Sequence, residues 1–368
     1  MKPSRVAVAA ALFLGLCAHG RAADLYTEEE IRVPLPAVAP HGLEALLVRP
    51  SGPGRYPLAL ISHGSPRSLA DRPAMSPWAM LPQAIEFARR GWAAVVLMRR
   101  GYGGSSDSKS IEDFGRCADP DYTAAGFAAA ADLKESVALL GQRPDIDVSR
   151  MIAIGISAGG FATVALTANP PPGLVAAISF AGGRGSVRDN EPVCGQNRLI
   201  EAFGNFGKKS RVPTLWVYAE NDHFFGPQLA QQLREAFSGA GGKVEFIGAP
   251  PFGSDGHSLF SAAGTETWTP FVDDFLKRRG LMLQSTLLPA PPHPSLTVPA
   301  ALSENGRKAF EDYLISPPHK AFAVAPDGSF GWQSGQRTSE AAKSRALQYC
   351  EQHAPDCDVV FVDDTAVR

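Results

Sequence analysis

Met151-Ile-Ala-Ile-Gly155-Ile-Ser157-Ala-Gly159-Gly-Phe-Ala-Thr-Val-Ala-Leu-Thr167 starts as a short apolar strand and continues as a helix, with Gly155-Ile-Ser-Ala-Gly159 at the junction. A G-x-S-x-G pattern arises by chance in roughly one chain in four of this composition, so its flanks decide what it means. Here a strand runs straight into it and a helix leaves it. A serine on so sharp a turn is lifted clear of the sheet, and side chains in place of the flanking glycines would collide with neighbouring segments. The amide of Ala158 falls at the helix N-terminus, where developing negative charge is stabilised.

The same rhythm extends both ways along the chain. Leu43–Val48, Tyr56–Ile61, Trp92–Met98, Val175–Phe180, Thr214–Tyr218 and Val244–Ile247 read as short apolar strands. Helical stretches over Ala79–Arg90 and Ala124–Leu140, and the spacing of Leu229, Leu233 and Phe237, alternate with them. Near-continuous apolar strands alternating with helices imply a mostly parallel sheet covered on both faces, a doubly wound α/β domain.

A serine hydroxyl becomes a good nucleophile when an imidazole takes its proton, and the imidazole needs a carboxylate behind it. Asp222 follows the strand Thr214–Tyr218, and His257 follows the strand Val244–Ile247. Both are thereby expected at the sheet edge where Ser157 emerges. Glu220 and Asp255 are rival acids.

In these features the chain resembles the α/β-hydrolase superfamily, nearest to its dienelactone-hydrolase and prolyl-oligopeptidase-like branches. The resemblance covers about Leu43 to Leu281. It is carried by Ser62-His-Gly-Ser-Pro66, Arg99-Arg-Gly-Tyr-Gly-Gly-Ser105, Gly155–Gly159, Ala219–Asp222 and Asp255-Gly-His257. It implies the α/β-hydrolase fold, Ser157 as nucleophile, His257 as general base and Asp222 as its orienting acid. It further implies an oxyanion hole from the amides of Ala158 and of Ser65 or Gly64, with His63 ordering the loop. A cytosolic dienelactone hydrolase uses cysteine where this chain has serine, so the lactone activity is not expected to carry over, and no propeller is expected before the domain. Only Gly182 to Val212 separates the sixth strand from the next, so any cap is small.

The remainder of the 368-residue chain sets the context. Lys2 and Arg5 precede an uncharged run from Val6 to Ala18 followed by small residues, the pattern of a secretory signal peptide over 1–22. That run is too short to span a bilayer, and no later segment is apolar enough. Export to the periplasm or beyond is the expectation. The hydrolase domain then covers 23–282, a Pro-rich linker 283–302, and a small α+β module 303–368. In that module Ala321–Ala325 and Asp358–Val362 read as strands. The helix from about Ser339 to Glu351 has Ala342, Ala346, Tyr349 and Cys350 on one face.

Cys17 leaves with the leader, and four cysteines in an exported chain read as disulfides. Cys117–Cys194 and Cys350–Cys357 are the favoured pairs because each stays inside one proposed domain. With no C-x-x-C pair and no histidine at ligand spacing, no metal is expected, nor any organic cofactor. A formal net charge of -2 argues against nucleic acid as the main partner.

The expected function is a serine hydrolase cleaving carboxylic esters of small molecules through an acyl-enzyme. A peptidase on the same triad is the alternative, although no paired-glutamate motif for a peptide N-terminus is evident. A non-catalytic binding protein on a hydrolase scaffold is the third reading.

Overall fold

The computed structural model describes residues 25–38 and 40–367; the proposed leader and Cys17 lie outside the described residues. Eight strands form one sheet: β1 (Tyr26–Val33), β2 (Leu43–Pro50), β3 (Tyr56–Ser62), β4 (Ala93–Leu97), β5 (Ile146–Ile156), β6 (Leu174–Phe180), β7 (Thr214–Ala219) and β8 (Val244–Ala249). Their spatial order is β1-β2-β4-β3-β5-β6-β7-β8. The β1–β2 and β2–β4 pairings are antiparallel, and every pairing from β4 through β8 is parallel. The expected α/β-hydrolase fold is therefore present, and the C-terminal ends of β3, β5, β7 and β8 share one edge.

The strands look continuously apolar because both of their faces are buried. In β3, Leu58 and Leu60 enter one core while Ala59 and Ile61 enter the other; in β4, Val95 and Val96 divide the same way. One core is closed by α2 (Tyr122–Leu140), α3 (Ala158–Thr167), α4 (Gln196–Lys209) and α5 (Pro227–Gly239). The other is closed by α1 (Leu81–Arg89) and α6 (Thr265–Arg278). Trp216 anchors the first core and Trp92 and Trp268 the second, all three fully buried. Burial of such aromatic side chains stabilises by about 25 cal/mol per Å2 of apolar area removed from water.

Several elements differ from expectation. The helix expected from Ala79 begins at Leu81, after a 3-10 turn over Pro77–Met80. Strand β1 precedes the first expected strand; its Glu28-Glu-Glu30 run sits on the exposed edge, so apolar alternation does not mark it. The Gly182–Val212 interval carries α4, whose Leu199, Ala202, Phe203 and Phe206 are buried. This helix covers the sheet.

Residues 283–302 contain no helix or strand. The start of this segment is tied to the large domain: Leu288 N donates to Arg89 O at 3.1 Å, Arg89 Nε to Leu288 O at 2.8 Å, and Tyr26 Oη to Pro289 O. Beyond it lie α7 (Glu304–Ile315), β9 (Ala321–Val324), β10 (Phe330–Gln333), α8 (Ser339–Glu351), β11 (Asp358–Val362) and β12 (Thr365–Ala366). The strands form a separate antiparallel sheet in the order β10-β9-β11-β12. α8 packs Ala342, Ala346 and Cys350 against Ala321 and Ala323 on one face, and α7 packs Phe310 and Tyr313 against Phe322 and Phe361 on the other. Tyr349, expected on the buried face of α8, is 44% exposed, because small residues alone allow α8 to approach β10.

Both disulfides, Cys117–Cys194 and Cys350–Cys357, are formed. The second joins the end of α8 to the start of β11 across the alanine core, which offers little apolar area. Replacing Cys350 and Cys357 together by alanine is expected to cost about 2 kcal/mol by loop-closure entropy. Denaturant titration of the full chain, with hydrogen exchange resolved over β9–β11, measures the loss; the large sheet should keep its protection.

Candidate active site

Strand β5 ends at Ile156 and α3 starts at Ala158, so the whole reversal is made at Ser157, with φ 55° and ψ −122°. Left-handed backbone at a non-glycine residue is strained and survives only where its surroundings enforce it. Ser157 N donates to Phe180 O at 2.9 Å, while Ser157 O accepts from Phe161 N at 2.9 Å and Gly183 N at 3.1 Å. The flanking glycines are steric necessities. A Cβ on Gly155 would lie 2.2 Å from Gly159 O, and one on Gly159 would lie 2.1 Å from Ser62 O and 2.4 Å from His63 O. The turn is thereby pressed against the end of β3.

Asp222 and His257, on the loops after β7 and β8, are brought together. Nδ1 of His257 lies 3.1 Å and 3.2 Å from the two Asp222 carboxylate oxygens, and the Asp222 side chain is fully buried. Asp222 Oδ1 also accepts from the amides of Phe224 at 2.7 Å and Phe225 at 2.9 Å, so the carboxylate is aimed before the histidine meets it. A carboxylate at Nδ1 favours the tautomer with the proton on that nitrogen, which leaves the lone pair on Nε2. The Phe224 ring stacks on the His257 ring at 4.0 Å between centroids, and the Phe225 ring lies tilted to it at 5.6 Å. Phe225 also fills the space beside Gly183, whose amide holds the backbone of Ser157. Among the described residues no hydrogen bond joins Ser157 Oγ to the ring, a contact that in unliganded sites often closes only with substrate.

The rival acids have other positions. Glu220 is exposed. Asp255 Oδ1 accepts from His257 N at 2.9 Å and His223 N at 3.0 Å, tying the two loops together by their backbones. Asn221 adds a second tie, accepting from Phe252 N at 2.9 Å while its carbonyl accepts from Gly256 N at 3.0 Å.

The loop after β3 closes the other side. An ideal Cβ on Gly64 would sit 3.4 Å from Ser157 Cβ, so this loop lies directly against the serine. The amides of Ser65 and Ala158 donate to no acceptor among the described residues. His63 is buried beneath: Nδ1–H donates to Gly64 O at 2.6 Å, and Nε2 accepts from Arg99 N at 3.1 Å. Burial, and next the Arg99 charge, hold its imidazole well below the usual histidine range, so it stays neutral and structural.

Below that loop is a buried charge cluster. Arg99, with no exposure, donates from Nε to Glu112 Oε2 at 2.8 Å and from Nη1 to Ser62 Oγ at 2.6 Å and His63 O at 2.8 Å. Arg184 Nη1 reaches Glu112 Oε1 at 2.8 Å, and Tyr102 Oη bonds the same oxygen. Arg99 and Tyr102 fall within a stretch already singled out by its motif. Glu112 and Arg184 lie in loops without periodicity, and no sequence signal marks them. Burial alone would raise the Glu112 carboxyl, but the Arg99 and Arg184 guanidiniums outweigh it and hold it far below the usual carboxylate range.

Glu112→Ala would leave two buried guanidiniums without their counter-charge, and an expected loss of about 3–5 kcal/mol follows. Because the folded-state titration is depressed, this contribution is fully present above the unfolded carboxyl value of about 4.3 and is lost as pH falls towards the folded one. Denaturant titrations of wild type and variant at pH 7 and pH 3 should therefore differ much more at pH 7.

The model of the dienelactone hydrolase family matches residues 81–262. No curated protein sequence matches the chain. Among solved structures, an esterase from Pyrococcus furiosus is similar at 15% identity and TM-score 0.46, over 70% of this chain and 93% of its own. Esterase 2 of Thermogutta terrifontis, captured phosphorylated by paraoxon, is similar at 17% identity and TM-score 0.48, over 70% and 96%. The acylaminoacyl peptidase of Pyrococcus horikoshii is similar at 17% identity and TM-score 0.48, with 73% of this chain spanning 43% of that one. The sheet topology is that of the α/β-hydrolase fold, and the match to the dienelactone hydrolase family over residues 81–262 supports a hydrolase.

Proposed function

We propose that the protein is an exported serine hydrolase that cleaves carboxylic esters through an acyl-enzyme. The observation that carries this is the His257–Asp222 pair, its carboxylate pre-aimed by two backbone amides, on the sheet edge where Ser157 is held in a strained turn. Export is supported by the leader pattern over 1–22 and by two disulfides, which persist in oxidising compartments.

In this mechanism Ser157 Oγ attacks the ester carbonyl carbon as His257 Nε2 takes the hydroxyl proton. Asp222 stabilises the resulting imidazolium without itself being protonated. The carbonyl oxygen becomes an oxyanion facing the amides of Ala158 and Ser65, each such donor worth roughly a hundred- to a thousand-fold in rate. Collapse of the tetrahedral intermediate breaks the bond to the leaving alcohol, which departs with the proton from His257. Water then attacks the acyl-enzyme, His257 takes its proton, and a second collapse returns Ser157 and releases the acid.

Purified mature protein is expected to take one equivalent of a fluorophosphonate probe and to turn over short p-nitrophenyl esters. Ser157→Ala should lose both. Asp222→Asn should lower kcat about ten-thousand-fold while the protein stays folded. Aminoacyl p-nitroanilides run in parallel test the peptidase alternative: turnover of anilides in preference to esters overturns the ester assignment. An unlabelled, folded, disulfide-intact wild type would favour the binding-scaffold reading. The wild-type rate should fall on acidification, because only neutral imidazole accepts the serine proton, and a rate flat from about pH 5 to pH 8 would count against His257 as base.

A further inference from the structure

The loop that faces Ser157 is fastened from below by side chains to which the proposed reaction gives no part. Ser62 and His63 are held by Arg99, and Gly64 by the His63 ring. Ser65, whose amide is the proposed oxyanion donor, is held by its hydroxyl alone: Ser65 Oγ lies 3.0 Å from Tyr102 Oη, and Tyr102 Oη bonds Glu112. Tyr102 is fully buried, its ring edge-to-face with His63 at 4.6 Å between centroids.

The direction of these bonds follows from the charges. Glu112 faces two guanidiniums, is ionised, and so only accepts. The single Tyr102 hydrogen therefore goes to Glu112, and the Tyr102 oxygen accepts the hydrogen of Ser65. The Ser65 hydroxyl is thus turned towards the buried Tyr102. Among the described residues its other acceptor is Pro66 O at 3.2 Å, a neighbour within the same loop that anchors nothing.

We propose that Glu112, acting through Tyr102, is the positioning residue that sets the oxyanion amide of Ser65, by a one-way chain of hydrogen bonds from the Ser65 hydroxyl to a buried carboxylate. The inference rests on the ester-hydrolase reading above. Neither Glu112 nor Tyr102 touches substrate. Their effect is confined to the step in which the carbonyl oxygen gains charge, because substrate binding does not need the amide at its oxyanion distance.

The test uses Tyr102→Phe and Ser65→Ala in the full mature chain, since each removes one end of the same bond and leaves the Glu112–arginine cluster intact. With p-nitrophenyl acetate, each variant should lower kcat about 10- to 100-fold, part of the loss of a whole oxyanion donor, with KM within about two-fold of wild type. The inhibition constant of a trifluoromethyl ketone, whose adduct with a serine carries an oxyanion, should rise by the factor by which kcat/KM falls. The double variant should be no worse than either single, because both cut one link. Melting temperatures of all three should stay within about ten degrees of wild type, the loss expected from one or two buried hydrogen bonds.

Unchanged kcat in Tyr102→Phe overturns the inference. So does a loss that multiplies in the double variant, a ketone affinity that stays constant while kcat falls, or a loss that parallels a fall in melting temperature. A wild type that neither takes a fluorophosphonate nor turns over ester removes the catalytic reading and this inference with it. An active wild type with an unaffected Tyr102→Phe removes the inference alone.

Discussion

The contact on which the site depends is between two backbones, where Gly159 at the start of α3 lies on the carbonyls of Ser62 and His63 at the end of β3. A single methyl there would fall within 2.1 Å of Ser62 O, so helix, strand end and the loop beyond it are locked in one register. Ser157 has no freedom to relax from its left-handed backbone while that contact holds, because its amide and carbonyl are both engaged. Strain at one residue, of order 1–3 kcal/mol, is small beside the two apolar cores that enforce it. The same lock presses the β3 loop against the serine, so the proposed nucleophile and the proposed oxyanion donors are set by one packing event.

Electrostatics then build on this frame. Buried ion pairs rarely add net stability, because desolvation consumes most of the attraction. The Arg99–Glu112–Arg184 cluster is better understood through its geometry. Two guanidiniums against one carboxylate leave net positive charge beneath the β3 loop, and Arg99 Nη1 is aimed at Ser62 and at the backbone of His63. On the opposite side Asp222 is aimed by two amides before it meets His257, and Asp255 and Asn221 tie its loop to the histidine loop. Each group on which the proposed chemistry relies is thus held by something that does not itself react.

Much of this was legible from residue order. The strand-to-helix junction at Ser157, the apolar strands of a two-faced sheet, and Asp222 and His257 beyond later strands all follow from local pattern. So do the limits of α8 and β11 in the C-terminal module. The two missed strands share a physical cause. β1 is an edge strand carrying three consecutive glutamates, and β10 is four residues long with a glycine pressed against α8. Neither has the alternation that reveals a half-buried strand. Tyr349 fails for a different reason: a helical face states which residues align, and the neighbouring backbone decides which of them fit.

Residue order alone therefore settled the class of fold and the chemical types poised at one sheet edge, because the periodicities of strands and helices and the sterics of a tight turn are local properties. It could not settle which carboxylate stands behind His257. Asp222, Glu220 and Asp255 all fall just beyond strands at the same sheet edge, and only the folded loops separate a buried acceptor from an exposed side chain and a turn cap. Nor could it join Glu112 and Arg184 to Arg99 and Tyr102. Their sequence separations of 72, 13 and 10 residues are erased only when the loops after β4 and β6 meet at one edge, where desolvation makes an unpaired charge untenable and selects the pairing.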